Sequence, residues 1–188
     1  MAKIVGIGAC VADTLYTLPR YPTEDTKMRA ASSKLAGGGP CATGLVAASK
    51  LSQSAAYIGV LSSDASGIFL KSDFEKYGVS TDLVEVLDGY RSFSSVIWLA
   101  QSTATRTCVF DKGTLPPLTL SDAQKKAIAD ADLLMVDGNE MRAAVEAAAL
   151  ARETGTTVLY DCGGLYEGVE NLLPFADYLI PSEEFAQL

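Results

Sequence analysis

Leu35-Ala36-Gly37-Gly38-Gly39-Pro40-Cys41-Ala42-Thr43-Gly44 runs without a break into Leu45-Val46-Ala47-Ala48-Ser49-Lys50-Leu51, and the chain is organised around this stretch. Three successive glycines strip every Cβ from a short piece of backbone, so another group can approach its peptide units closely. Pro40 presets φ for a first helical turn, where its missing N–H leaves nothing unpaired. The small apolar residues that follow suit a helix packed tightly on a sheet. A glycine-rich loop at a helix N-terminus offers N–H groups and the positive end of the helix dipole to an oxygen-rich ligand. The same residues also read as a flexible turn ahead of a buried helix.

On the N-terminal side, Lys3 to Ala9 (KIVGIGA) has the Ile, Val and Gly content of a strand covered on both faces. Asp13 follows just beyond it, where open α/β sheets bind ligands, though a turn or helix cap uses the same residue. Residues 14–36, with Pro19, Pro22 and a charged turn at Glu24-Asp25, read as an inserted β segment rather than a helical crossover.

On the C-terminal side, Ala55 to Leu61 reads as a second buried strand, and Asp64-Ala65-Ser66-Gly67 opens a helix to Tyr77, closed by Gly78. Ser92 to Ala100 and Thr105 to Phe110 form a hairpin around Gln101-Ser102-Thr103-Ala104. It joins the first insertion as one accessory sheet. Ser121 caps the next helix. Strands at 132–137, 156–160 and 178–180 then alternate with helices at 141–154 and 167–173. This rhythm indicates a mainly parallel, doubly wound sheet. The expectation is one incomplete α/β domain over 1–188, with insertions at about 14–36 and 90–111, because the last residues read as the opening of a new helix.

At 188 residues, 48% of them hydrophobic, the chain is long enough for a sizeable core. A net charge of −8 argues against a nucleic-acid partner, which would require a basic face. No apolar run reaches membrane-spanning length and no signal-peptide pattern opens the chain, so a cytoplasmic protein is expected. Cys10, Cys41, Cys108 and Cys162 lie far apart without metal or disulfide spacing. With no histidine, Ser-His triads and His-ligated zinc are excluded.

Polar residues recur at the expected strand ends: Asp13, Asp64, Asp137 with Asn139, and Asp161. For Asp64 and Asp161, capping is the favoured role. Beside the triple glycine, the group points to a small polar ligand. A dinucleotide fold is disfavoured because Gly6-x-Gly8 lacks the third glycine and the helix that should follow.

Gly8 to Asp13, the inserted β segment, Gly-Gly-Gly-Pro-Cys-Ala-Thr-Gly at 37–44 and Asp-Ala-Ser-Gly at 64–67, in that order, resemble the PfkB carbohydrate kinases. Thr105-Arg106-Thr107 and Pro181-Ser182-Glu183-Glu184 fit the same order. The resemblance implies a ribokinase-like α/β fold with a small β-sheet lid that also forms a homodimer interface. It implies ATP and Mg2+ as cofactors, with transfer of the γ-phosphoryl group to a sugar hydroxyl. Asp13 matches the acid that holds sugar hydroxyls, and Gly37 and Gly38 match the diglycine that contacts the sugar. Asp137 and Gly138 match a position closing the sugar pocket, and Gly39 and Asn139 are placed with these candidates.

Departures from the family accompany the resemblance. Ser182 and Phe185 replace the ends of the family's Asn-x-x-Glu, which leaves Glu183 or Glu184 to serve magnesium. Ala42 replaces a sugar-binding Asn. The Gly-Ala-Gly-Asp motif with the general base is expected beyond Leu188, so the 188-residue piece is expected to be inactive alone. A neutral hexose or pentose is the favoured substrate. An anionic sugar held by Lys27, Arg91 and Arg106 is the alternative, and a noncatalytic sugar-binding or dimerising module is a further one.

Overall fold

The computed structural model describes residues 2–187. In chain order the elements are β1 (Lys3–Ile7), β2 (Val11–Leu18), β3 (Ser32–Gly38), α1 (Pro40–Lys50), β4 (Ser54–Tyr57), β5 (Gly59–Ser62), α2 (Ala65–Lys76), β6 (Val79–Ser80) and β7 (Val84–Leu87). They continue with β8 (Ser94–Ala100), β9 (Thr105–Asp111), α3 (Asp122–Ala129), β10 (Leu133–Val136), α4 (Met141–Thr154), β11 (Thr157–Cys162), α5 (Val169–Leu172), β12 (Tyr178–Pro181) and α6 (Glu183–Gln187).

Six strands form a parallel sheet in the order β12-β11-β10-β1-β4-β6. Alternation along β1 sends Val5 and Ile7 to one face, while Ile4 and Gly6 turn to the other. The first face packs against α4, whose Ala143, Ala144, Ala147, Ala148 and Ala151 are all buried. An alanine stripe lets that helix lie close to β10 and β11. The second face receives α1 through Cys41 and Leu45, which occupy the space a side chain at Gly6 would need. Gly44 likewise makes room for Met135 of β10. Helices on both faces make the sheet doubly wound, and the close fit fixes the N-terminus of α1 at the carboxyl ends of β1 and β10.

A second sheet has the order β3-β2-β8-β9, with β2 and β8 parallel and both outer pairs antiparallel. The chain enters it directly from β1 through Gly8-Ala9-Cys10. Strand β2 therefore begins at Val11, and Asp13 is a strand residue, not a cap. Register places Asp13, Ser95 and Phe110 side by side on one face. Tyr16, Leu35, Val96, Trp98 and Val109 share the other, where Leu35 and Val109 are each at least half exposed.

Two local expectations are corrected, and two short strands are added. The run 55–61 is broken at Ile58, and β5 leaves the central sheet to pair with β7. Asp161 lies inside β11 rather than capping its end. The short strands β6 and β7 carry too little apolar pattern to be read from sequence.

Asp64 does cap α2: its carboxylate accepts from the Gly67 N–H at 2.8 Å and the Ser92 N–H at 3.0 Å. Burial pushes its pKa up, but these backbone bonds, the Ser92 hydroxyl and the Arg91 charge outweigh it and hold the carboxyl below its ordinary value. A depressed folded-state pKa gives stability that is present above the unfolded value and lost as pH falls through the folded one. Asp64→Ala is therefore expected to cost about 1 kcal/mol at pH 7. In denaturant titrations the gap to wild type should close as pH drops below about 4. A gap independent of pH would show that the carboxylate's charge contributes nothing.

Candidate functional site

Each of the three glycines is required by a different neighbour. A side chain on Gly37 would meet the Asp73 carboxylate of α2, and one on Gly38 would overlap the Asp13 carboxylate of β2. Gly39 has φ +95°, and a Cβ there would strike the Ala9 carbonyl oxygen. The diglycine thus lies between two carboxylates on opposite sides of β3.

The loop does not leave the helix N-terminus open. Asp137, 1% exposed, places Oδ2 where it accepts from the Cys41 N–H at 3.0 Å and the Ala9 N–H at 2.8 Å. Its Oδ1 accepts from the Asn139 N–H at 3.0 Å and the Asn139 side-chain amide at 3.2 Å. The Ala42 N–H is given to the Ala9 carbonyl. The anion that the start of α1 attracts is the protein's own.

Asp13 is half-buried, and its Oδ1 accepts from the Ser95 hydroxyl at 2.5 Å. Its Oδ2 takes no hydrogen bond among the described residues. A cavity of about 300 Å³ opens over the carboxyl ends of β1, β4 and β10, and Asp13 and Gly37 to Gly39 are not in its lining. The link to Asp13 runs through Phe93, whose ring meets Phe110 on the sheet face that carries Asp13 and Ser95. Gly8 to Cys10, Tyr57, Phe93, Lys112, Asn139, Glu140 and Arg142 contribute to its lining. Tyr57 donates its hydroxyl to the Gly8 carbonyl at 2.8 Å, which fixes the floor. Burial raises the Glu140 carboxyl pKa, opposed by the Leu118 N–H that it accepts at 3.2 Å and by the Lys112 charge. The Cys10 and Cys41 thiols are buried, and desolvation raises both, so neither is a nucleophile.

The structure therefore brings together Asp13, Gly37, Gly38, Gly39, Asp137, Gly138 and Asn139. It does not gather the three cations named from sequence. Arg91 pairs with Asp111 at 3.1 Å at one end of β9. Arg106 lies five residues away on that strand, roughly 17 Å at strand rise. Lys27 is exposed in the loop between β2 and β3. Glu183 and Glu184 are exposed neighbours on the short α6, where adjacent residues do not face each other. Among the described residues, no three His, Cys, Asp or Glu side chains are gathered as metal ligands would be.

Sequence reasoning passed over Ser95, Asp73, Lys112, Glu140 and Arg142. Only Glu140 and Arg142, which closely follow Asp137-Gly138-Asn139, carried a local signal. The others reach the site through tertiary pairing.

Comparison with known proteins gives concordant relatives. A ribokinase of Haemophilus influenzae is 25% identical over 188 residues, covering 97% of this chain and 60% of its own length. Among solved structures, Arabidopsis thaliana ribokinase complexed with ribose and ATP superposes with a TM-score of 0.79 at 21% identity, covering 95% of this chain and 59% of that one. Ribokinase from Giardia lamblia gives 0.83 at 17% identity, covering 99% and 63%. The chain thus spans about 60% of the length of the curated relative it matches. The profile of the pfkB family carbohydrate kinases matches residues 1–188, and the chain belongs to that family.

Proposed function

We propose that this chain supplies the sugar-binding part of an ATP-dependent kinase that transfers the γ-phosphoryl group to a hydroxyl of a small neutral sugar, a hexose or pentose. The observation that carries this reading is the Asp13 carboxylate, oriented by Ser95 and with Oδ2 above Gly38 unbonded among the described residues. It stands on the sheet face shared with Phe110, whose ring neighbour Phe93 lines a cavity with further polar groups. An oriented carboxylate accepts hydrogen bonds from sugar hydroxyls, and Asn139 can both donate and accept. Phosphoryl transfer works by positioning and charge stabilisation. The residues here supply the first for the acceptor, and no general base is assigned among them. Magnesium would be held chiefly by nucleotide phosphates, with Glu183 or Glu184 as an accessory carboxylate. The exposed apolar face of Tyr16, Leu35, Val96 and Val109 supports pairing of two copies through the small sheet, which would act as a lid. Among the described residues no helix is long and apolar enough to cross a membrane, and a cytoplasmic location is proposed with the rest.

The test is ADP release by the full-length protein with ATP, Mg2+ and a panel of neutral hexoses and pentoses. At least one sugar should be turned over, and the 188-residue chain alone should turn over none. Failure of every sugar would overturn the reading.

One observation favours a second substrate class. Lys112 and Arg142 line the cavity and form no ion pair among the described residues. An anionic sugar would draw on these two cations rather than on Lys27, Arg91 and Arg106. Preference for a sugar phosphate over the matched neutral sugar, abolished by Lys112→Ala, would select it.

A further inference from the structure

Asp137 invites a role different from sugar contact. Its carboxylate is 1% exposed and accepts four hydrogen bonds, from the Ala9 N–H, the Cys41 N–H, and the Asn139 N–H and side-chain amide. Those donors belong to three segments distant in sequence. Ala9 lies in the link that carries β1 into β2 and so to Asp13. Cys41 is in the first turn of α1, just after the triple glycine. Asn139 belongs to the Gly138 turn that lines the cavity. The carboxylate occupies the space a side chain at Gly8 would fill, so that position admits only glycine while Asp137 is in place.

A buried carboxylate is costly unless it is paired and hydrogen-bonded. Here the N–H groups and the α1 dipole compensate it. With four donors around it, it has little capacity left for a ligand.

We infer that Asp137 is a positioning residue, an internal anion seated at the start of α1 that holds the Asp13 strand, the glycine loop and the Asn139 turn in one arrangement without touching the sugar. Its relevance to catalysis rests on the sugar-kinase reading above, whereas its clamping role does not.

Two variants of the full-length protein test this. Asp137→Asn keeps the shape but places an amide N–H2 where one pair of donors converges. Its thermal midpoint, read without sugar or ATP, should fall by about 5–10 °C. Its kcat/KM should fall at least tenfold, through kcat as well as KM. Asp137→Ala leaves a carboxylate-sized vacancy, and added formate should raise its midpoint saturably while leaving wild type unchanged. If the alanine variant does not fold, the asparagine variant carries the test alone. An Asp137→Asn protein with an unchanged midpoint overturns the clamp. So does a rise in sugar KM alone, which would mark direct contact. Because the midpoint and formate measurements need no substrate, they read the clamp even if no sugar is phosphorylated.

Discussion

Gly39→Ala is expected to lower the thermal midpoint by about 6–12 °C, corresponding to roughly 3 kcal/mol or more in a chain of this size. Two costs add. The backbone at φ +95° is outside the range that alanine adopts readily, which alone costs about 1–3 kcal/mol. The new Cβ would also overlap the Ala9 carbonyl oxygen, a backbone atom in the link between the two sheets. That link cannot retreat freely, because the Ala9 N–H is held by Asp137 and its carbonyl already accepts from the Ala42 N–H at 3.3 Å. Gly155, at the end of α4, provides an internal reference. It is left-handed, with φ +82° and ψ 16°, and nothing lies within 4 Å of a built Cβ. Gly155→Ala therefore registers the smaller cost of an ordinary αL turn with no collision. The glycine-only backbone of Gly39, with ψ 142°, and its Ala9 contact both add to that cost. Differential scanning calorimetry of the two variants should place Gly39→Ala clearly below Gly155→Ala. Equal midpoints would mean that the Gly39 backbone and the Ala9 contact together cost no more than an ordinary left-handed turn.

On the proposed sugar-kinase reading, Asp13→Asn in the full-length protein is expected to reduce kcat/KM by about 10- to 100-fold, the scale of a lost charge-assisted hydrogen bond of roughly 1.5–3 kcal/mol. The thermal midpoint should change little, because the residue is only half-buried and an amide oxygen can still accept from the Ser95 hydroxyl. Gly38→Ala approaches the same group from the other side. Its Cβ would displace the Asp13 carboxylate, so it should reproduce much of the kinetic loss with Asp13 still present. Steady-state kinetics on the preferred sugar decide the matter. Unchanged efficiency in Asp13→Asn would reduce the Asp13–Ser95 pair to a structural bond of the small sheet.

The alternation of strands and helices was legible because buried parallel strands such as KIVGI and LLMV are unbroken apolar runs, and because Gly78 and Gly155 close their helices visibly. The ribokinase-like fold with its small accessory sheet followed from that rhythm and the order of motifs. Boundaries were less legible where residues are small. Val11 and Ala12 do not announce whether the chain turns or continues, so the start of β2 was placed late. The break at Ile58 was hidden because Tyr57, Ile58 and Gly59 suit one strand as well as two. The candidate site was legible as a set of positions but not as a set of bonds. Asp137 meets Ala9 and Cys41 across 128 and 96 residues, and no local pattern encodes such a meeting. The three cations failed to gather for a related reason: Lys27 lies in the loop between β2 and β3, while Arg106 and the Asp111 that pairs with Arg91 stand near opposite ends of β9.

The parallel pairing of β2 with β8 bears on how the protein is made. Asp13 and Ser95 face each other across 82 positions of chain, and seven register pairs depend on that closure. Closing so long a loop is entropically costly before any contact rewards it, and non-local parallel pairing is slow. During synthesis the glycine loop and its helix emerge well before Ser94–Ala100, the strand that supplies Ser95. For that interval β2 has only β3 beside it, and the edge that will take β8 stands open, a state prone to mispairing. The Asp13 surface proposed to hold the sugar is therefore completed only when a strand 82 positions further along the chain has been made and paired. Heat or denaturant that frees β8 should disable binding before the central sheet gives way.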